Sequence, residues 1–579
     1  MPNRLTNLIA AGLLIFVFLI TVFSMKDDSL TMDELAHLPA GYSYLTQKDM
    51  RLNPEHPPLI KDLAAIPLLF IPNINFPSDI KAWKTDINGQ WDFGNAFLFH
   101  SDNPAEKMIF WGRIPMILIL ILLGFYVFKA AKEFFGNKAG LLALFLFSFS
   151  PTFLAHGRLV TTDVGAAAGA LIATYYFIKA LGSAGASTEL SRMSSPQAKK
   201  SIIKAGVVFG LAELAKFSLI LLIPLFFLLA LVWWLTKSGK LFSTFKILIL
   251  VFTIGFLTLW PVYQYHTWNY PGQRQAQDTK LLLSSFGSRP LADSVAWMAD
   301  KPILRPYAQY FLGLSMVLQR AVGGNTTYFM GEVSASGWKT YFPIVYFIKE
   351  TLAFHILTII AILYAIWLRK KPSFVVIALL SFIAIYWFFS LKSNLNIGVR
   401  HLLPTFPFAI ILVSAMIVKL LKKPYLKIKY VILCGLILWQ IISVISVYPS
   451  FLAYFNEAAG GPDKGHLYTV DSNMDWGQDL QRLNQWLEKN NINKIYLDYF
   501  GGSDTKYYLK EKYAQWWGDR DKKELPQGSY LAVSATFLQG GRGKPVQGFT
   551  SSSGFYNWLD DYEPVAKIGY SIFVYKIDN

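Results

Sequence analysis

Apolar residues in this chain come in long unbroken runs, not in the alternations of a soluble fold. Runs close to the roughly 20 residues that one membrane crossing needs occur at 7–24, 108–128, 139–155, 163–181, 201–235, 245–262, 343–368, 373–391, 402–421 and 429–448. The stretch 201–235 is too long for one crossing and carries Glu213 and Lys216 near its middle. Split at Lys216, it brings the expected total to about eleven transmembrane helices.

Charge supports the split. Arg4 precedes the first run, and Lys129, Lys132 and Lys138 follow the second. Arg192, Lys199, Lys200 and Lys204 follow the fourth, and Lys237, Lys240 and Lys246 the next pair. Arg369, Lys370 and Lys371, then Lys422, Lys423, Lys427 and Lys429, complete the set. All fall on one side only if 201–235 crosses twice, and by the positive-inside rule that side is the cytoplasm, with the N-terminus. Three large segments then face outward: 25–107, 263–342 and the tail 449–579. The first holds twelve Asp/Glu against seven Lys/Arg. Its apolar piece 59–72 is too short to span and suits an interfacial helix. The stretch 183–200 reads as a flexible cytoplasmic loop.

The tail has another pattern. A helix is expected at 477–489 and strands at 494–500, 529–535 and 571–577. The fold class expected is therefore a polytopic α-helical membrane protein, residues 1–448, with a small extracytoplasmic α/β domain at 449–579.

Composition agrees: 53 % of the 579 residues are hydrophobic, and mean hydropathy is +0.35. A net charge of +17 would suggest nucleic acid in a soluble protein. Here it belongs to the loops, and no nucleic-acid partner is expected. The one cysteine, Cys434, leaves no intramolecular disulfide. The first run lacks a small-residue cleavage site and reads as a retained anchor.

Ionisable residues gather at the outward ends of the runs. Asp33 and Glu34 follow the first. They suit the first turn of a helix capped by Thr31 or Ser29, and equally a general base at the membrane surface. In "NPEHPPL" (53–59), Pro54, Pro57 and Pro58 fix a turn that presents Glu55 and His56. "AHGRLVTTDVG" (155–165) sets His156, Arg158 and Asp163 at the start of the fourth run. Lys216, Lys392, Arg400 and His401 lie at outward edges, against the positive-inside bias, where a lipid phosphate is the natural counter-ion. In the tail, Asp471, Asp475 and Trp476 stand close together, as a capping turn or a sugar contact. No phosphate-binding G-x-x-x-x-G-K-[ST] loop, H-E-x-x-H or paired C-x-x-C is present. A divalent metal could bind these acids, but no ligand cluster is evident, so the metal stays unassigned and no cofactor is certain.

"MDELAHLPAGYSYL", "NPEHPPL", "HGRLVTTD" and "RHLLP" together resemble the GT-C superfamily of membrane glycosyltransferases. The branch resembled holds the protein O-mannosyltransferases and the bacterial lipid A aminoarabinose transferase. The tail resembles the C-terminal part of bacterial members of that branch. The resemblance implies a bacterial plasma-membrane enzyme. It implies an inverting transfer of a hexosyl or pentosyl group from a polyprenyl-phosphate donor to a hydroxyl of a lipid, glycan or protein acceptor. Asp33 matches the family's catalytic acid, with Glu34 paired to it and Asp163 as a second acid. The donor phosphate would meet His56, Arg158, Lys216, Arg400 and His401, supported by Glu55, Pro57 and Pro58. Where the aminoarabinose transferase has Glu-Lys-Pro-Pro, this chain has Glu-His-Pro-Pro, which removes a permanent cation. The competing readings are a transporter or flippase of lipid-linked sugars, or a receptor, neither of which needs a carboxylate base.

Overall fold

The computed structural model describes residues 2–185, 195–237, 241–422, 428–546, 548–551 and 553–578. Half of the loop expected at 183–200, residues 186–194, and the cations Arg192, Lys240, Lys423 and Lys427 lie outside the described residues.

The chain is mainly helical. Among the described residues, eight helices are long and apolar enough to cross a membrane: Asn3–Ser24, Ala105–Phe135, Asp163–Ser183, Phe217–Thr236, Leu241–His266, Phe374–Lys392, Val399–Leu421 and Ile428–Ile445. A ninth is the pair Tyr341–Lys349 and Leu352–Leu368, bent by 112°. The count is below the eleven expected, for local reasons. The run 139–155 becomes a 12-residue helix, Asn137–Ser148, which Ser150 and Pro151 stop by starting a short helix of their own. Twelve residues rise only about 18 Å, too little for a bilayer core. The run 201–235 does break at Lys216, but its first half, Pro196–Glu213, carries too many charges to count as a span. The run 343–368 breaks because Glu350 is buried there, accepting from the hydroxyls of Thr152 (2.6 Å) and Ser150 (3.1 Å). Beside it, Lys349 Nζ donates to three tail carbonyls, on Leu452, Tyr454 and Asn473, at 2.5–2.9 Å.

The loop 25–107 folds largely as a cap of short helices. Its leading helix, Met32–Gln47, starts at a capping box in which Glu34 accepts from the Thr31 amide (2.9 Å). Pro39 inside this helix has no N–H to offer Leu35. The Leu35 carbonyl turns instead to Gly94, where an added Cβ would sit 2.1 Å from it. The stretch 59–72 is a helix, Leu59–Ala65, and a 3-10 turn, Ile66–Phe70, that leaves Leu69 and Phe70 exposed as an interfacial segment would.

The tail supplies a five-stranded mixed sheet in the order Tyr513–Gln515, Ile495–Asp498, Ser529–Ser534, Ile572–Ile577, Ala566–Ile568. The first three strands run parallel and the last two pairings are antiparallel. The expected strands are all present, and the expected helix is Leu480–Lys489, which starts beyond Gly477 at φ 93°. A second, three-stranded sheet joins two strands of the middle loop, Thr327–Phe329 and Glu332–Ser334, to Lys544–Val546 of the tail. The tail is therefore woven into the body. Phe451, Leu452, Tyr454 and Trp476 share one apolar cluster with the spanning helices.

Candidate functional site

A cavity of about 560 Å³ lies where the cap, the spanning helices and the tail meet. Most of the residues singled out from the sequence line it: Asp33, Glu55, His56, Lys216, Lys392, Arg400, His401, Asp471 and Trp476. Apolar side chains of Arg305–Gly323 and Phe374–Lys392, among them Leu314, Val317 and Phe389, continue the wall.

Arg400 is the centre of the arrangement. Its Nη1 donates to Asp33 at 2.7 Å and to Asp163 at 3.3 Å, and its Nε donates to Ser472 Oγ at 3.1 Å. The guanidinium lies 4.2 Å from the centre of the Trp476 ring. Lys216, exposed by the break after Glu213, donates to the other oxygen of Asp163. Asp163 thus ties two cations together and is 1 % exposed, whereas Asp33 is 21 % exposed and faces the cavity. Only Asp33 of this pair is placed to meet a substrate. Burial pushes its carboxyl up, but Arg400 and then His37 outweigh that and hold it below its ordinary 3.8. It is an ionised proton acceptor at neutral pH. Replacing Arg400 by lysine keeps the charge but loses the fork and the ring contact. Arg400→Lys is expected to raise donor KM by about tenfold or more, read from saturation curves in nanodiscs.

The "NPEHPPL" turn is held from below. Lys61, fully buried, donates to the carbonyls of Asn53 and His56, to Asn53 Oδ1 and to Tyr44 Oη, each at 2.8 Å. Glu55 accepts from Gln90 (2.5 Å) and Asn88 (3.1 Å). Pro57 and Pro58 do not line the cavity and act on the backbone alone. His56 and His37 stack edge to face at 4.8 Å. Burial drives both imidazoles below their ordinary range, His56 farthest, so His56 meets a ligand as a neutral hydrogen-bonding group, in line with the loss of a permanent cation there. Lys61→Met should take from the turn the donor that joins the Asn53 and His56 carbonyls and Asn53 Oδ1, and cost about 1–3 kcal/mol, seen as a lower Tm in detergent.

Three candidates lie elsewhere, and a fourth, Trp476, lines the cavity beneath Arg400. Glu34 points away from the cavity and is paired with Arg113 at 2.6 Å and 2.9 Å. It also accepts from the Val160 amide at 2.9 Å. Its expected role beside Asp33 gives way to a structural one, because successive helix positions face different ways. Arg158 is buried against Asp28, 3.0 Å away, and donates to the Pro449 carbonyl at 3.3 Å. It does not line the cavity where a phosphate would sit. Asp475 accepts from the Thr536 amide at 2.8 Å, and burial pushes its carboxyl up to about 8. Trp476 is 1 % exposed and covered by Arg400, so it supports the cation and offers no open face to a sugar.

The sequence reading missed His37, Asn53, Gln90 and Arg320, all on the wall. His37 was findable, one helical turn after Asp33. Arg320 carries no motif. Among the described residues no group of three or more His, Cys, Asp or Glu is arranged to hold a metal ion.

Comparison with known proteins follows the same lines. Residues 105–265 match the family model described as dolichyl-phosphate-mannose-protein mannosyltransferase. No curated protein matches. Among solved structures, ArnT from Cupriavidus metallidurans bound to undecaprenyl phosphate is similar at 11 % identity and TM-score 0.45, covering 100 % of this chain and 98 % of that one. The oligosaccharyltransferase AglB from Archaeoglobus fulgidus, in complex with an inhibitory peptide and a dolichol-phosphate, is similar at 12 % identity and TM-score 0.47, covering 92 % and 71 %. The protein O-mannosyltransferase complex of S. cerevisiae bound to the sugar donor is similar at 19 % identity and TM-score 0.35, covering 47 % and 34 %. The family model thus matches residues 105–265, where "HGRLVTTD" lies, and it describes the mannosyltransferase branch that the motifs of this chain resemble.

Proposed function

We propose that this integral membrane protein transfers a sugar, with inversion, from a polyprenyl-phosphate-linked donor to an acceptor hydroxyl at the outer face of the membrane. The observation that carries the reading is the cavity that the partly open carboxylate of Asp33 shares with Arg400, Lys216, Arg320 and Lys392. The donor phosphate sits against the cations, and the tail of the donor follows the apolar wall past Leu314, Val317 and Phe389.

The acceptor oxygen attacks the anomeric carbon from the side opposite the phosphate. Its proton passes to Asp33 as the new C–O bond forms. The bond between the anomeric carbon and the phosphate oxygen breaks, and its electron pair leaves with the polyprenyl phosphate. Fixed cations at that oxygen stabilise the developing charge by several kcal/mol, so no acid is needed on the leaving group. Asp163 keeps Arg400 and Lys216 in place. The transferred group is a hexosyl or pentosyl unit, and the acceptor is a lipid, glycan or protein.

The test is a reconstitution in sealed vesicles with polyprenyl-phosphate sugars labelled in the sugar. Transfer predicts that label separates from the lipid and appears on an added acceptor. Label that stays on the intact lipid but changes leaflet would overturn the reading in favour of a flippase.

A further inference from the structure

One turn of the tail, Asp471–Asn473, reaches the cavity wall. Asp471 is held there in the left-handed region, at φ 55°, where asparagine and aspartate are the side chains best tolerated. The turn is fixed on several sides. The Asp471 amide donates to Thr536 Oγ1 at 3.1 Å. Asn473 accepts from the Val399 amide at 2.9 Å and donates to Tyr341 Oη at 3.0 Å. A backbone pinned this firmly in a rare conformation leaves the Asp471 carboxyl little freedom of direction.

One oxygen of that carboxyl accepts from the Ser472 amide at 2.5 Å. The other has no hydrogen-bond partner among the described residues, and no cation is within ion-pair distance there. Arg400 is already committed to Asp33, Asp163 and Ser472. Burial pushes the carboxyl up to about 6, and Arg400 offsets this only in part. A half-buried carboxylate oxygen facing a cavity is costly unless a ligand donates to it.

Its surroundings say which ligand. The charges that act on Asp471 are those of Arg400, Asp33 and Arg320. It lines the same cavity as the base Asp33 and the cations Arg400 and Arg320, on the turn whose Ser472 hydroxyl holds Arg400 Nε. In a displacement at the anomeric carbon, the ring being transferred lies beside both the base and the phosphate, and its free groups are hydroxyls.

We propose that Asp471 recognises the transferred sugar, its free carboxylate oxygen accepting a hydrogen bond from one ring hydroxyl. This rests on the glycosyl-transfer reading above. The tail then supplies specificity to a site whose base and phosphate cations come from the cap and the spanning helices.

The experiment compares wild type with Asp471→Asn, in nanodiscs, on synthetic polyprenyl-phosphate sugars that carry either the full set of hydroxyls or lack one each. Asparagine keeps both the left-handed backbone and an oxygen for the Ser472 amide, so the thermal unfolding curve should not move. For the full sugar, kcat/KM should fall about ten- to hundredfold, with acceptor KM unchanged. One deoxy donor should react equally with both proteins, which identifies the hydroxyl. An equal loss on every donor, or a change in acceptor KM alone, would overturn the assignment. If wild type cleaves no donor at all, the glycosyl-transfer reading fails first, and a wild type that transfers sugar while Asp471→Asn discriminates donors as it does isolates the failure to Asp471.

Discussion

Asp33→Asn should lower turnover by about 10²- to 10⁴-fold, the range of a positioned general base, with donor binding retained. Asparagine fills the same volume and still offers an oxygen to Arg400 Nη1, so the 2.7 Å contact is kept. What it lacks is the charge that takes a proton. Burial, opposed and overcome by Arg400 and His37, leaves the Asp33 carboxyl below its ordinary value. The sign follows: the base is ionised throughout the neutral range and is lost only as pH falls below about 4. An acid limb due to Asp33 therefore belongs at or below that pH, and Asp33→Asn should abolish it. Single-turnover transfer from a labelled donor, with binding measured separately, checks both points. Turnover equal to wild type would remove Asp33 from the mechanism.

Glu34→Gln, one position on, should act on stability instead. Arg113 is buried and has Glu34 as its paired carboxylate, with the Asp28 and Ser29 carbonyls as its other acceptors. Removing one partner of such a pair leaves a buried charge uncompensated, at a cost of about 3–5 kcal/mol. The Val160 and Thr31 amides, which now meet the carboxylate, also lose part of their acceptor. Thermal unfolding in detergent should show a large fall in Tm, and the surviving folded fraction should turn over donor at close to the wild-type rate. A full-strength Tm with lost catalysis would restore Glu34 to the chemistry.

These neighbours show where a sequence is readable and where it is not. Charge at the outward end of an apolar run is visible, because few residues are tolerated there without a partner. Asp33, Asp163, Lys216 and Arg400 are visible that way, and the structure joins them, Asp33 and Asp163 on the Arg400 guanidinium and Lys216 on Asp163. Direction within a helix is harder, because Asp33 and Glu34 sit in the same turn and only packing against Arg113 decides which faces inward. Partners distant in sequence are harder still. Nothing local to Arg158 announces Asp28, and nothing local to Lys61 announces the carbonyls of the proline turn. The number of long apolar helices is below the runs counted because hydropathy registers an apolar run but not the residues that cut it short, as Ser150 and Pro151 do after Ser148. The three longest tail strands, bounded by turn residues, are readable to within a residue or two, whereas the three-residue strands Tyr513–Gln515, Lys544–Val546 and Ala566–Ile568 are too short to leave a pattern.

The weaving of the tail into the body has a consequence for biogenesis. The residues just before Asp33 are held by the far end of the chain: Ser29 bonds Gln478 across 449 positions, and the Met32 amide donates to the Trp476 carbonyl at 3.0 Å. Arg400, too, gains its ring contact and its Ser472 bond only from the tail. A ribosome must therefore complete most of the polypeptide before the first carboxylate finds its setting. Until then Asp28 lacks Arg482, one of its two arginine partners. Contacts this remote in sequence form slowly, and a chain that ends before Trp476 lacks the tail contacts to Ser29, Met32 and Arg400 on which the site is set.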